Sequence, residues 1–246
     1  MNAFILAAGQ GSRLRASIPK CLLEVNNEPL LERSLKCMKG IDSIIKSVVI
    51  IGNGGVWTKD TEGQALKIAH KYSAETIVNK NSMETHSTES LKIALEEMKQ
   101  LDDLLIIDGD LVYDERIVKE LAQQEGSVLL VGEQHSSSGS KVKYEKNKSG
   151  QVILQEISES IQSEYVYLGM MKLDKDHVLI IKDLIEEPKY KKDILAVILN
   201  DICKVIELRC FFLIKDVAER VPCIQGNVIN INTKNDLENA GRIFNK

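Results

Sequence analysis

The chain has 246 residues, 32 of them Lys or Arg and 36 Asp or Glu, for a formal charge of −4. So even a balance announces no polyanion-binding surface and argues against a nucleic-acid partner. With 43% hydrophobic residues there is ample material for a packed core, and no apolar run approaches the ~18 residues of a membrane span.

Strand-like and helix-like runs then alternate along the first half. Ala3–Ala7 is a short apolar run ending in a glycine-rich turn, the pattern of a buried strand. Pro29 suits a first helical position, with Leu30, Leu31, Leu35 and Met38 at helical spacing and Gly40 as a stop. Ser47–Ile51 is β-branched and closes at Gly52–Gly55. Thr61–Tyr72 is predicted as a helix and Ala74–Val78 as a third strand. Ser87–Lys99 has the clearest helical face, in Leu91, Ala94, Leu95 and Met98, with Ser87 as its expected cap. Leu104–Ile107 is a strand running into Asp108-Gly109-Asp110, and Asp114–Gln124 the helix after it. Repeated units of this kind favour a parallel sheet with right-handed crossovers.

The second half changes texture. Ser127–Val131, Lys141–Glu145, Val152–Ile157 and Tyr165–Met171 read as strands, interrupted by a flexible Ser136–Ser140 stretch. Helices are expected at Asp176–Glu186, Ile194–Ile206 and Lys234–Phe244, and strands at Leu208–Ile214 and Val228–Ile231. The five cysteines (Cys21, Cys37, Cys203, Cys210 and Cys223) are odd in number and lack C-x-x-C spacing. They are expected to be buried or free thiols of a cytoplasmic protein, without disulfides or structural zinc. The opening nine residues also lack the basic n-region and cleavage site of a signal peptide.

The strongest chemical signal is Leu6-Ala7-Ala8-Gly9-Gln10-Gly11-Ser12-Arg13-Leu14, followed by Pro19-Lys20. A strand ending in small residues and two glycines presents several backbone N–H groups in a concave turn that suits a polyphosphate. Arg13 adds a planar, forked cation and Lys20 a compact one. A dinucleotide fingerprint is excluded, because its third glycine falls on Leu14 and no acidic residue closes the second strand. G-x-x-x-x-G-K-[ST] is absent as well, which excludes a P-loop.

These residues, with Pro29-Leu30-Leu31-x-Arg33, resemble the signature of the nucleotidyltransferase superfamily, which includes sugar-1-phosphate nucleotidyltransferases and the phosphocholine-type cytidylyltransferases. Weaker matches follow in order. They are Thr85-His86-Ser87-x-x-Ser90-Leu91, Asp108-Gly109-Asp110, the Lys141–Gly169 region, and Asn232-Thr233-x-x-Asp236-Leu237. The resemblance implies an α/β, doubly wound fold with a mixed, predominantly parallel sheet, Rossmann-like and similar to the GT-A architecture. It implies a single domain, with a nucleotide-binding half over residues 1–135 and an acceptor-binding half over 136–246.

By the same resemblance, Leu6, Ala7, Ala8 and Gly9 meet the base and ribose, Gly11, Ser12 and Arg13 wrap the triphosphate, and Lys20 acts at the reacting centre beside Arg13. Ser87 and Ser90 help to read the base. Asp110 binds Mg²⁺, while Asp108 either joins the nucleotide site or braces its loop. The second metal-binding aspartate of the family falls on Asn232, expected either as a neutral ligand or as a helix cap. The paired asparagines of the phosphocholine branch fall on His86 and Ser87. For the acceptor, Glu164, Tyr165 and Gly169 are the expected contacts, with Tyr167 and Trp57 as further aromatics. The expected reaction joins NMP from an NTP, CTP for preference, to a phosphocholine- or phosphonate-like acceptor with release of pyrophosphate. Its partners are then the NTP and a phosphorylated small molecule, with no membrane; the sequence does not name the oligomeric state and leaves a homodimer open. A sugar-1-phosphate nucleotidyltransferase is the nearest alternative. A glycosyltransferase using Asp108-Gly109-Asp110 and a silent nucleotide-binding subunit are more distant ones.

Overall fold

The computed structural model describes residues 1–12, 14–133, 139–214 and 223–245. The first half contains β1 (Asn2–Leu6), β2 (Glu24–Val25), β3 (Glu28–Pro29), α1 (Leu30–Lys39), β4 (Lys46–Ile51), α2 (Lys59–Lys71) and β5 (Glu75–Val78). There follow α3 (Ser87–Glu96), β6 (Leu104–Asp108), β7 (Leu111–Tyr113), α4 (Glu115–Ala122) and β8 (Val128–Glu133). The second half contains β9 (Lys141–Lys146), β10 (Val152–Ser158), β11 (Tyr165–Leu173), α5 (Lys175–Ile185) and α6 (Leu195–Ile202). It closes with β12 (Arg209–Ile214), β13 (Cys223–Gln225), β14 (Val228–Asn230) and α7 (Lys234–Ile243).

Ten strands make one mixed sheet in the order β13-β12-β10-β9-β11-β6-β1-β4-β5, with β8 paired to both β11 and β12. β1 runs parallel to β4 and β6, and β4 runs parallel to β5. Only β10 and β11 oppose the common direction: β11 is antiparallel to β6, β8 and β9, and β10 to β9 and β12. The sheet is therefore mixed, as the sequence leads one to expect, with eight of its ten strands running in one direction.

Successive side chains of a strand face opposite ways, and β1 is buried on both faces. Phe4 and Leu6 pack with residues of α3, α5 and α6, whereas Ala3 and Ile5 pack with residues of α1, α2 and α4. This is why the strand reads as a continuous apolar run without alternation. No helix among the described residues is long and apolar enough to cross a membrane. All five cysteines are free, and burial pushes the Cys21 and Cys210 thiols up to about 12.

Several boundaries differ from the sequence reading, and the reasons are local. Thr61 does not start its helix. It is the third helical residue of a capping box whose cap is Thr58. Ser87 is not a cap either: it is the first residue of α3, behind His86, and its Oγ accepts the backbone N–H of Leu195 at 2.8 Å. Pro29 is extended and lies in β3, paired with Glu24. The β2–β3 hairpin escapes an apolar-run search because each strand is only two residues long, but its turn is written in Asn26 and Asn27, with φ of 54° and 62°. Asparagine tolerates this left-handed region, and two such residues in succession make the tight turn preferred between antiparallel strands. Ser136, Ser137 and Ser138 of the expected flexible stretch lie outside the described residues, as does the boundary expected at 135.

The second half is pinned by an aromatic cluster. Tyr144 on β9, Tyr165 on β11 and Phe212 on β12 meet edge to face, with ring centroids 5.1 to 5.6 Å apart. Phe212 is 1% exposed, so truncation leaves a cavity that the sheet has little freedom to close. Phe212→Ala is expected to cost ~3–5 kcal/mol. At ~2–4 °C per kcal/mol for a chain of this size, the Tm should fall by roughly 6–20 °C. A shift under ~2 °C in thermal denaturation would show that the three rings do not act as a packing unit.

Candidate functional site

The parallel strands β1, β4 and β6 end together, and the candidate site lies at their carboxyl edge, where open α/β sheets hold ligands. Leu6 is in register with both Ile50 and Asp108. Two hydrogen bonds extend the pairing past the strand ends, from Ala7 N–H to Ile50 O at 2.8 Å and from Gly109 N–H to Leu6 O at 2.9 Å. A Cβ on Gly109 would lie 2.8 Å from Ala7 Cα, so only glycine lets the two strand ends come this close.

Beyond Ala8 the chain enters the predicted turn. Gly9 and Ser12 are exposed, and Gly11 has φ of 63°. Among the described residues nothing accepts the backbone N–H groups of Gly9, Gln10, Gly11 or Ser12, so this concave run of donors is available to an anion. Arg13 lies outside the described residues. The turn is held from below by Leu14, buried with Val25, Leu30, Val112, Ile231 and Ala240.

The walls of the turn are braced by residues the motif search did not single out. Gln10 accepts from Val56 N–H at 3.2 Å and donates to Ser82 Oγ at 3.3 Å. Ser82 Oγ in turn accepts from Asn53 N–H at 2.8 Å. The Trp57 indole N–H donates to Ala8 O at 3.3 Å, and a Cβ at Gly52 would stand 2.4 Å from that indole nitrogen. Trp57 thus packs against the glycine-rich turn. The signal for it lay in Gly52, which leaves space for a large ring.

Ser90 is 2% exposed, and its hydroxyl accepts from Asn79 Nδ2 at 3.1 Å, which also donates to Thr85 Oγ1 at 3.2 Å. The Thr85–Ser90 segment is therefore tied to the end of β5 through a buried amide. Each serine hydroxyl here already accepts one bond and keeps its own hydrogen to donate.

Lys20 begins a short 3-10 turn, Lys20–Leu22, anchored by the buried Cys21 and Leu22. Its Nζ lies 2.6 Å from Asp110 Oδ2 and 2.8 Å from Asn232 Oδ1. Asp110 follows β6, and Asn232 reaches it through the β7–β14 ribbon, which Ile231 N–H extends by donating to Asp110 O at 2.9 Å. The alternative of Asn232 as helix cap is decided against: Thr233 caps α7, in a reciprocal box with Asp236. Asn232 instead turns its side-chain oxygen to Lys20 and donates Nδ2 to Asn230 Oδ1 at 2.9 Å. Among the described residues no three His, Cys, Asp or Glu side chains cluster as metal ligands. Asp110 and Asn232 nevertheless aim two hard oxygens at one point now filled by an ammonium, which fits a cation completed by water and phosphate oxygens.

Asp108 is held well above the usual carboxylate range, by burial first and by the charge of Asp110 second, with Lys20 opposing. The Tyr167 hydroxyl is buried without a partner among the described residues. Burial and then the Asp108 charge push its phenol far up.

The expected acceptor residues separate. Gly169 is not with Glu164 and Tyr165. It has φ of 77° where the pairing of β11 with β8 slips, and a Cβ there would stand 2.8 Å from Asp108 Oδ2. Tyr165 begins the strand, four residues earlier, ~13 Å away at ~3.3 Å per residue. There Glu133, Ser163, Glu164 and Tyr165 line an open cavity of about 390 Å³. Arg33 of the motif is structural, donating to Glu28 Oε2 at 3.0 Å.

Residues 3–180 match the MobA-like NTP transferase domain. Over 115 residues the chain is 34% identical to the choline-phosphate cytidylyltransferase of Streptococcus pneumoniae (strain ATCC BAA-255 / R6), covering 45% of this chain and 44% of that protein. Over 91 residues it is 36% identical to the bifunctional protein GlmU of Staphylococcus epidermidis, covering 30% of this chain and 20% of that protein. The chain therefore spans less than half the length of these curated relatives. The solved CTP:phosphocholine cytidylyltransferase of Streptococcus pneumoniae (LicC) superposes over 99% of this chain and 98% of its own, with a TM-score of 0.78 at 18% identity. That likeness is one of fold. With the match running through the glycine-rich turn, Lys20 and the Asp108–Asp110 strand end, the chain is a member of the MobA-like NTP transferase domain family.

Proposed function

We propose that this protein transfers a nucleotidyl group from CTP to a phosphorylated small molecule of phosphocholine or phosphonate type, with release of pyrophosphate and with Mg²⁺. The observation that carries the reading is the convergence of Lys20, Asp110 and Asn232 beside a turn of free backbone donors. The choice of CTP and of this acceptor class is supported by the identity to a choline-phosphate cytidylyltransferase. Asn232, which resembles the asparagine of the N-acetylglucosamine-1-phosphate branch, favours a second reading, a sugar 1-phosphate as acceptor.

The chemistry asks little of acid–base groups. A phosphate monoester has a second pKa of ~6, so the attacking oxygen is already ionised near neutral pH. That oxygen forms a bond to the α-phosphorus, the bond from the α-phosphorus to its bridging oxygen breaks, and the electron pair leaves on pyrophosphate. The Gly9–Ser12 backbone would hold the phosphates, and Lys20 would neutralise charge on the leaving group. Asp110 and Asn232 would hold Mg²⁺, which supplies charge neutralisation at the transferring phosphoryl group. Ser87, the more exposed of the two serines, would offer its hydroxyl hydrogen to the base edge, with Ser90 fixing Asn79 behind it. Glu164 and Tyr165 would contact the far end of the acceptor, and Gly169 would leave room at its phosphate end.

A pyrophosphate-release screen of four NTPs against phosphorylated acceptors tests this directly. CTP should give the highest kcat/KM, then UTP, with purine triphosphates poor, because an unmatched base leaves buried polar groups unpaired. A higher kcat/KM with ATP or GTP would refute the base assignment. Turnover without pyrophosphate would refute the reaction and favour a glycosyl transfer, and NTP binding without turnover would favour a silent subunit.

Lys20→Ala should lower kcat by ~10²-fold or more, since a preorganised charge acts mainly in the transition state. Wild-type turnover in that variant, or full activity of Asp110→Ala in excess chelator, is incompatible with the proposed site.

Trp57 is the sole tryptophan and is bonded to the Ala8 carbonyl, so its emission reports on the turn. CTP should change Trp57 fluorescence saturably, and Gly52→Ala, which drives a Cβ into the indole, should shift the emission and weaken CTP binding together. An emission indifferent to saturating CTP would place the nucleotide elsewhere.

A further inference from the structure

The Lys20 ammonium occupies the one point at which the Asp110 and Asn232 oxygens converge, 2.6 and 2.8 Å from them. The contact is built and not incidental. Lys20 and Asp110 side chains are only 12% and 23% exposed, so the pair is partly shielded from water. The stem of Lys20 lies against Gly11, where a Cβ would stand 3.0 Å from Lys20 Cγ. The Asn232 amide is held from behind by its bond to Asn230, which keeps Oδ1 facing the ammonium. Two cations cannot share the same pair of oxygens, because they would repel each other at contact distance while each lost its own ligands. A flexible four-carbon stem, on the other hand, lets the ammonium leave without any backbone movement.

We propose that Lys20 and the divalent cation are mutually exclusive occupants of the Asp110–Asn232 oxygens. Lys20 closes the metal site in the nucleotide-free protein and yields it when phosphates draw the ammonium away. The inference rests on the reading of Asp110 and Asn232 as metal ligands and adds an order to it. Nucleotide and metal bind with positive coupling, because each removes a cost from the other, and by linkage the coupling is the same in either direction.

Two measurements on the full chain test it, neither of them activity. The first is Mn²⁺ binding without nucleotide, followed by the loss of the free-ion electron paramagnetic resonance signal. Lys20→Met should bind Mn²⁺ ~10-fold more tightly than the unmodified protein, the scale expected from losing a partly shielded competing charge. Lys20→Gln serves as a second variant should the first unfold. The second is the rate of Lys20 acetylation by acetic anhydride, read by mass spectrometry on the unmodified protein. Mg²⁺ should raise that rate several-fold, and in Asp110→Asn the rate should not respond to Mg²⁺. Equal Mn²⁺ affinities with and without Lys20, or Mn²⁺ binding that leaves Lys20 acetylation unchanged, overturns the competition while the metal site stands. If no protein binds Mn²⁺, with or without CTP, the metal-ligand reading itself falls, and this inference with it.

Discussion

An ammonium shared between a carboxylate and an amide is the contact that makes one place out of three stretches of chain. Lys20, Asp110 and Asn232 lie 90 to 212 positions apart, and each arrives on a different device. A 3-10 turn anchored by Cys21 and Leu22 presents the lysine, the end of β6 presents the aspartate, and a two-stranded ribbon delivers the asparagine. None of these devices is stable as an isolated fragment, since a two-stranded ribbon is marginal in water. The sheet beneath them provides the rigidity, and the ion cluster sets their mutual register.

The second constraint is close backbone approach at the mouth of the sheet. Gly109 lets the end of β6 lie against Ala7, Gly52 makes room for the Trp57 ring, and Gly169 keeps β11 clear of the Asp108 carboxylate. In each case a Cβ would fall within 2.8 Å of a neighbouring atom. The polar brace of Gln10, Ser82 and Asn53 completes the fixing of the turn without using the backbone donors that face outward. The turn is thereby held in place by the protein's own contacts.

The second half of the chain is built differently. It hangs on β11, which is antiparallel to its neighbour β6 and projects past the end of it. An aromatic triad from β9, β11 and β12 sets its position. The acidic, open cavity at Glu133 and Glu164 and the tight end at Gly169 lie at opposite ends of one strand segment.

The sequence by itself determined the fold class, the alternation of strands and helices in the first half, and the Gly9–Lys20 turn. Those signals are local: an apolar strand buried on both faces, a pair of glycines, a helical face. They survive without knowledge of neighbours. It also brought Asp110 and Asn232 forward, but through a resemblance, and left Asn232 open between ligand and cap. Tertiary structure removed the cap, because Thr233 makes the capping box and the Asn232 side chain turns to Lys20 instead. It likewise took Ser87 from the cap of α3 to a bond with Leu195, and set Trp57 against the glycine-rich turn. In each case the side chain had two chemically equal choices of partner. The choice was made by which segment the sheet brought within 3.5 Å, a distance that no local pattern encodes.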